Sequence, residues 1–191
     1  MKTRPHRRLS RGFTLVELLV VISIIIVLAA MSFGVIGTVT KRQKTVETQA
    51  TITALSQAMD AFYSDYNRMP SVGSSGDEMT TEGQAGADLI TILLGKEESS
   101  SEMQNPKQIS YLNTKVGKTK AKGGLIYSNG NKVQGLYDAW GEPLRIKFDD
   151  DFDDEISDPV TQGKIVRQKR FVVWSWGPDK KFGDNDEVKS W

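Results

Sequence analysis

The sequence predicts an α+β protein in which one long N-terminal helix packs on a small antiparallel sheet. Three observations predict it. Residues 13–36 are an apolar run with a single charge. Residues 40–68 carry apolar side chains at alternating spacings of three and four, as on one face of an amphipathic helix. Residues 143–148 (PLRIKF) and 171–176 (FVVWSW) alternate in the manner of half-buried strands.

The apolar run is long enough to cross a membrane. As a helix rising about 1.5 Å per residue, residues 13–36 would extend about 36 Å, against a hydrocarbon core of about 30 Å. Residues 1–12 carry five basic side chains and no acid. Positive flanks stay cytoplasmic, so we expect one transmembrane segment with the remainder exported. A cleaved secretory signal fits poorly because the run is too long, and a simple anchor leaves the costly Glu17 unexplained.

The amphipathic extension, residues 37–69, is expected to continue the same helix. Its apolar stripe is best explained as the face that packs on a globular head, and it comprises Ile52, Leu55, Met59, Phe62 and Tyr66. Proline disfavours helical geometry in the preceding residue, so Met69-Pro70-Ser71 is predicted to end the helix.

The head is predicted to occupy residues 70–191. After a polar loop, residues 85–94 form a short helix that ends at Gly95. Residues 109–112 and 125–127 are shorter β-like runs. Together with the two clear strands they predict an antiparallel sheet of three or four strands on the helix stripe.

Composition excludes several classes of chemistry. The chain has no cysteine, and its one histidine is His6. Disulfides, thiolate metal sites and a Ser-His-Asp triad in the head are therefore excluded. Since no nucleophile, base and pocket converge in the sequence, we also predict that the protein is not an enzyme. Of 25 Lys and Arg, five lie in residues 1–12, so a chain without that segment holds 20 against 24 Asp and Glu. This acidic balance argues against nucleic-acid binding.

The residues at the start of the apolar run carry a recognisable motif. Arg11-Gly12-Phe13-Thr14-Leu15-Val16-Glu17, followed by an apolar helix, resembles the prepilin motif of type IV pilins and type II secretion pseudopilins. The resemblance implies that residues 1–12 are a leader, that a prepilin peptidase cuts between Gly12 and Phe13, and that Phe13 is then N-methylated. It also implies that Glu17 pairs with the terminal amine of a neighbouring subunit during assembly. A buried carboxylate becomes tolerable when a cation meets it.

Two acidic segments are candidate cation sites. Residues 149–155 (DDDFDDE) are expected to be a solvated loop, although Asp149, Asp151 and Asp153 could share one side of an extended segment. Residues 174–188 combine four acids with two glycines and a proline after a strand. Such a loop can offer Ca²⁺ both carboxylate and carbonyl oxygens, while an ordinary acidic surface turn is the alternative.

A second resemblance concerns the head. Asp138-Ala139-Trp140-Gly141-Glu142-Pro143-Leu144 and Ser175-Trp176-Gly177-Pro178-Asp179 resemble segments of the major pseudopilin of type II secretion. The resemblance implies a Ca²⁺-binding C-terminal loop in place of a disulfide. Its implied ligands are the carboxylates of Asp179, Asp184 and Asp186, with backbone carbonyls near Ser175 and Phe182.

These resemblances lead us to expect a major-pseudopilin-like subunit, anchored once in the bacterial inner membrane with its body in the periplasm. It would polymerise with itself into a periplasmic filament that drives type II secretion, together with minor pseudopilins and an inner-membrane assembly platform. The alternatives are a surface type IV or competence pilus subunit, a stand-alone pilin-like binding protein, and a membrane-anchored hydrolase using Asp138 with Asp179.

Overall fold

The computed structural model describes residues 13–33, 36–73, 78–128, 130–183 and 186–191. The chain divides into two compact units, Met1–Thr40 and Lys41–Trp191. The described residues form three α-helices, a 3₁₀ turn at Lys120–Lys122 and eight β-strands. The helices are α1 (Leu15–Phe33), α2 (Ile36–Tyr66) and α3 (Gly83–Leu93). The strands are β1 (Glu78–Thr80), β2 (Gly124–Tyr127), β3 (Val133–Tyr137), β4 (Arg145–Phe148), β5 (Glu155–Ser157), β6 (Ile165–Arg167), β7 (Phe171–Ser175) and β8 (Val188–Lys189).

The first unit presents an apolar helical surface. Large hydrophobic side chains from Phe13 to Leu28 are between 46% and 79% exposed. None of the helices, over the residues that are described, combines the length and apolarity needed to cross a membrane.

Helix α2 supplies one side of the core of the second unit. Four of the five predicted stripe residues are fully buried and Tyr66 packs against them, which confirms the stripe. The helix ends at Tyr66, three residues before the predicted stop at Met69. Asn67 adopts a left-handed φ of 50° and donates its N–H to the Tyr63 carbonyl at 2.7 Å. Asparagine tolerates this conformation, so it ends the helix before proline can.

The central sheet is antiparallel and has four strands in the order β1-β4-β7-β8. The β4–β7 pair sets its register, with Ile146 opposite Val173 and Phe148 opposite Phe171. These strands and α3 close the core over α2. The predicted α+β class and the antiparallel sheet packed on the helix stripe are therefore confirmed.

Several elements differ from the sequence-based expectations. Residues 109–112 are not a strand; Tyr111 and Leu112 instead donate their N–H groups to the Leu93 carbonyl, which seals the end of α3. The β2 run pairs with β3 in a separate hairpin, outside the central sheet. A second hairpin, β5–β6, begins at Glu155, the last residue of the 149–155 acidic run. The short helix and its terminating Gly95, at φ 64°, are as predicted.

Candidate functional site

Thr14 and Glu17 form a reciprocal hydrogen-bonded cap at the start of α1. The Glu17 N–H donates to Thr14 Oγ1 at 3.2 Å, and Glu17 Oε2 accepts both the Thr14 N–H at 2.9 Å and its hydroxyl at 2.8 Å. This is a capping box, which satisfies N–H groups that a helix start leaves without partners. The Thr-x-x-Glu spacing is the sequence signal for this cap, which was not among the predictions for Glu17.

The remaining processing residues are placed only in part. Phe13 is 77% exposed immediately before the cap, which leaves it accessible to an enzyme. Gly12, on the other side of the predicted cleavage point, lies outside the described residues.

The two segments that resemble the major pseudopilin meet through one buried carboxylate. Asp138, which follows β3, is fully buried. Its Oδ1 accepts the N–H groups of Trp140 at 2.8 Å and Glu142 at 2.9 Å, and its Oδ2 accepts the Ser175 hydroxyl at 2.5 Å. Burial raises the pKa of Asp138, although these hydrogen bonds act in the opposite direction. The turn at 138–142 is thereby fastened to the end of β7.

The C-terminal loop begins directly after that contact. Gly177, at φ 80°, donates its N–H to the Ser175 hydroxyl at 3.0 Å, and a Cβ at this position would overlap the backbone carbonyl of Asp186. Only glycine lets the start of the loop approach its end so closely. Phe182 packs edge-on against Trp176, with ring centroids 5.5 Å apart.

The negative charges of Asp179 and Glu187 act on the carboxylate of Asp186 in this loop. The pKa of Asp186 is raised by burial first, then by the negative charge of Asp179, with a further contribution from Glu187. Lys41 of α2 acts in the opposite direction from 3.8 Å. Among the described residues, Asp186 Oδ1 and Glu187 Oε2 are buried without a hydrogen-bond donor. Such oxygens are costly unless a cation or water meets them.

The placement of the predicted calcium ligands is therefore mixed. Asp179 and Asp186 are close enough to interact electrostatically, and Glu187 joins them although sequence analysis did not select it. Its adjacency to Asp186 was the available signal. Ser175 directs its hydroxyl to Asp138, and Phe182 contributes a packing contact. Asp184 lies outside the described residues.

The other acidic run gathers three carboxylates more tightly. Over the described residues, only Asp149, Asp151 and Asp153 place three ligand oxygens within 4.8 Å of one another. The Asp149 carboxylate accepts the N–H groups of Asp153 at 3.3 Å and Asp154 at 3.1 Å, so the loop supplies donors of its own. The three carboxylates lie together, but in a turn with Phe152 at φ 58° and not along the extended segment that the sequence suggested; Asp151 and Asp153 are exposed.

Comparison with known proteins identifies the N-terminal segment. The family model described as the prokaryotic N-terminal methylation motif matches residues 7–33. No curated protein and no solved structure matches the chain significantly. The matched segment contains Phe13, the capping box and the whole of α1. The motif implies processing by a prepilin peptidase and pilus-type assembly. The chain thus carries the prepilin-type N-terminal methylation motif, joined to an α+β body consistent with a pilin-like fold.

Proposed function

We propose that this protein is a major-pseudopilin-like structural subunit, which polymerises into a periplasmic filament that drives type II protein secretion. The methylation motif at residues 7–33 carries the proposal. It contains α1, a helix whose large apolar side chains are exposed, a surface that needs a membrane before assembly and other subunits after it. We further propose that the subunit is anchored once in the bacterial inner membrane, with its body in the periplasm.

Two features of the head favour the role of a pseudopilin over that of a surface pilin. It has no cysteine with which to close a C-terminal loop covalently. Instead, the 138–144 and 175–179 segments, which resemble those of the major pseudopilin, are joined by the Asp138–Ser175 hydrogen bond. Minor pseudopilins, the inner-membrane assembly platform and the prepilin peptidase are the partners that this role requires.

The protein is proposed to act without catalysis. The hydrolase alternative needs Asp138 to reach a substrate, and this side chain is fully buried with both carboxylate oxygens engaged. A general acid or base must lie within hydrogen-bond reach of the reacting group. The burial of Asp138 therefore favours a structural role.

Calcium is proposed to stabilise the C-terminal loop. The donor set fits a hard cation, since Asp179, Asp186 and Glu187 are oxygen ligands, and two of their oxygens are buried without a hydrogen-bond donor among the described residues. Asp179, Asp186 and Glu187 would hold the ion, joined by Asp184. Bound calcium would add positive charge beside these acids, and it would stabilise the folded loop by mass action.

Processing and assembly test the proposed role most directly. The full chain is produced with a prepilin peptidase, and the mass of the mature protein is measured. We expect a chain that begins at Phe13 with a methylated amine. Glu17→Gln should retain cleavage but lose assembly into sedimenting filaments, because the charge that pairs with the neighbouring amine is gone.

The capping box provides the matched control for that experiment. Thr14→Ala removes the hydroxyl half of the capping box while it leaves the Glu17 charge, so assembly should be retained in part. If Glu17→Gln assembles like the native chain, the charge-pairing role of Glu17 is wrong. Deleting the gene should block secretion without removing surface filaments; the reverse result would favour the surface pilus.

Thermal unfolding of the detergent-solubilised full chain tests the calcium proposal. Calcium at about 100 times its Kd should add about 2.7 kcal/mol, which raises Tm by roughly 5–10 °C for a protein of this size. Asp179→Ala should abolish the rise seen between EDTA and excess Ca²⁺. Asp151→Asn is the matched control in the other acidic run, and it should keep the rise. Loss of the rise in Asp151→Asn alone would relocate the ion to the 149–153 cluster.

A further inference from the structure

The start of the C-terminal loop is held by one buried serine hydroxyl. Ser175 is fully buried at the end of β7. Its hydroxyl donates to Asp138 at 2.5 Å and accepts the Gly177 N–H at 3.0 Å. The orientation of the hydroxyl is therefore fixed by the carboxylate, and the amide at the base of the loop is fixed by the hydroxyl.

The same turn is fastened to α2 on its other side. The N–H of Ala139 donates to Thr48 Oγ1 at 3.1 Å, and Thr48 is fully buried. A continuous series of hydrogen bonds thus runs from α2 through the 138–142 turn to Ser175 and Gly177. Every group in this series is buried or nearly so. A buried donor or acceptor that loses its hydrogen bond destabilises the fold more than an exposed one does.

Gly177 transmits this placement to the acidic end of the loop. Its α-carbon lies so close to the Asp186 backbone carbonyl that a side chain would overlap it. A shift of Gly177 would therefore displace the backbone at Asp186. The Asp186 carboxylate lies near those of Asp179 and Glu187. The chain of contacts ends at the proposed ion.

We propose that Asp138 is a positioning residue for the C-terminal loop: through the Ser175 hydroxyl it sets the base of the loop against the α2-fastened turn and so holds the carboxylates in a cation-binding arrangement. The part concerning the ion rests on the proposed calcium role. The part concerning loop placement does not, because the hydrogen bonds exist without a metal.

Hydrogen exchange in the full chain tests the placement in EDTA. Ser175→Ala removes the link at nearly constant volume. The Gly177, Lys181 and Gly183 amides should exchange roughly two- to tenfold faster, the range expected for one lost hydrogen bond, while β4 amides keep their protection. Ser190→Ala is the matched control, since Ser190 Oγ also accepts an N–H from β7, that of Val173 at 2.9 Å. It should leave loop exchange unchanged.

A second variant guards against a failure of Ser175→Ala to fold. Asp138→Asn retains an oxygen for the Trp140 and Glu142 N–H groups but puts an amide donor in place of the oxygen that accepts the Ser175 hydroxyl. The hydroxyl can then only accept, and its buried proton is left without an acceptor. It should accelerate loop exchange in the same pattern. Unchanged loop exchange in the folded variants would overturn the proposal, and so would an equal loss of protection throughout the sheet, which indicates a purely structural role.

Calcium titration then separates the two proposals. Ser175→Ala should raise the Kd for Ca²⁺ by a similar factor of two to ten, and Ser190→Ala should leave this Kd unchanged. Native Kd in Ser175→Ala with faster loop exchange would overturn the role of Asp138 in holding the carboxylates. If the native chain binds no Ca²⁺, the calcium role fails, and the exchange pattern in EDTA still decides whether Asp138 places the loop.

Discussion

The N-terminal helix and the C-terminal loop are incomplete in opposite ways. In α1 the one carboxylate is engaged by its own helix cap through a single oxygen, Glu17 Oε2, while the apolar side chains are exposed. In the loop the aromatic side chains are packed together, while carboxylate oxygens of Asp186 and Glu187 lack donors among the described residues. One end exposes apolar side chains, and the other holds buried carboxylate oxygens without hydrogen-bond donors among the described residues. This difference teaches that each end is built for a different kind of partner.

The body between them provides the reference. Helix α2 buries Ile52, Leu55, Met59 and Phe62 completely against the sheet and α3. Its apolar stripe is thus satisfied within the chain. Substitutions in α2 should therefore affect folding, whereas equivalent substitutions in α1 should affect assembly.

The largest expected effect comes from a leucine pair that breaks this contrast. Leu55→Ala should lower the free energy of unfolding of the head by about 2–5 kcal/mol, since a fully buried leucine leaves a cavity. Leu19→Ala, at a side chain 56% exposed, should change it by less than about 0.5 kcal/mol. Denaturant unfolding of the detergent-solubilised full chain measures both.

Filament formation then reverses the order of that pair. Leu19→Ala should reduce sedimenting filaments although the head is as stable as in the native chain. If Leu19→Ala destabilises the head as strongly as Leu55→Ala, α1 is part of the folding core and the contrast between the helices is wrong.

A smaller effect is expected at Asp186, where stability and cation binding oppose each other. Burial and neighbouring acids raise the pKa of Asp186, so ionisation costs the folded state. When folding raises the pKa of a carboxyl group, the group stabilises the folded state at pH values below its unfolded-state pKa. This stabilisation is lost as the pH rises through the folded-state pKa. At neutral pH without metal, Asp186→Asn should therefore stabilise the head by about 0.5–2 kcal/mol.

The pH profile and calcium check that interpretation. The gain in Asp186→Asn should shrink as pH falls below the ordinary aspartate range, because the native carboxyl is then protonated in both states. Calcium should raise Tm in the native chain and leave Asp186→Asn nearly unchanged. Destabilisation by Asp186→Asn in EDTA would show that the carboxylate is paired more strongly than its surroundings indicate.

The sequence predicts the regular elements of this fold better than the contacts between segments that are distant in the chain. Periodicity identified the α2 stripe and the β4 and β7 strands, because burial of one face leaves a regular pattern. It missed the left-handed Asn67, the short strands β1 and β8, and the pairing of β2 with β3, since these depend on contacts between distant segments. Motifs selected Glu17 and Asp179, but the burial of Asp138 and its link to Ser175 required the folded chain.

The smallest expected effect concerns Lys41. Among the described residues, only its ammonium lies within salt-bridge distance of Asp186 in the C-terminal loop. Its Nζ lies 3.8 Å from Asp186 Oδ2, and the lysine side chain is 59% exposed. An ammonium here repels a divalent cation and competes with it for the same carboxylate. Lys41→Gln should therefore tighten Ca²⁺ binding. An exposed pair contributes about 0.2–1 kcal/mol, which corresponds to roughly 1.4- to 5-fold in Kd.

Salt dependence distinguishes this electrostatic effect from a change in loop shape. The advantage of Lys41→Gln should shrink at high ionic strength, because exposed charges are screened. Lys107→Gln is the matched control: Lys107 lies over the Tyr66 ring at the other end of α2, roughly 37 Å from Lys41 along the helix. It should leave the Ca²⁺ Kd unchanged. Weaker binding in Lys41→Gln would mean that Lys41 supports the loop instead of competing with the ion.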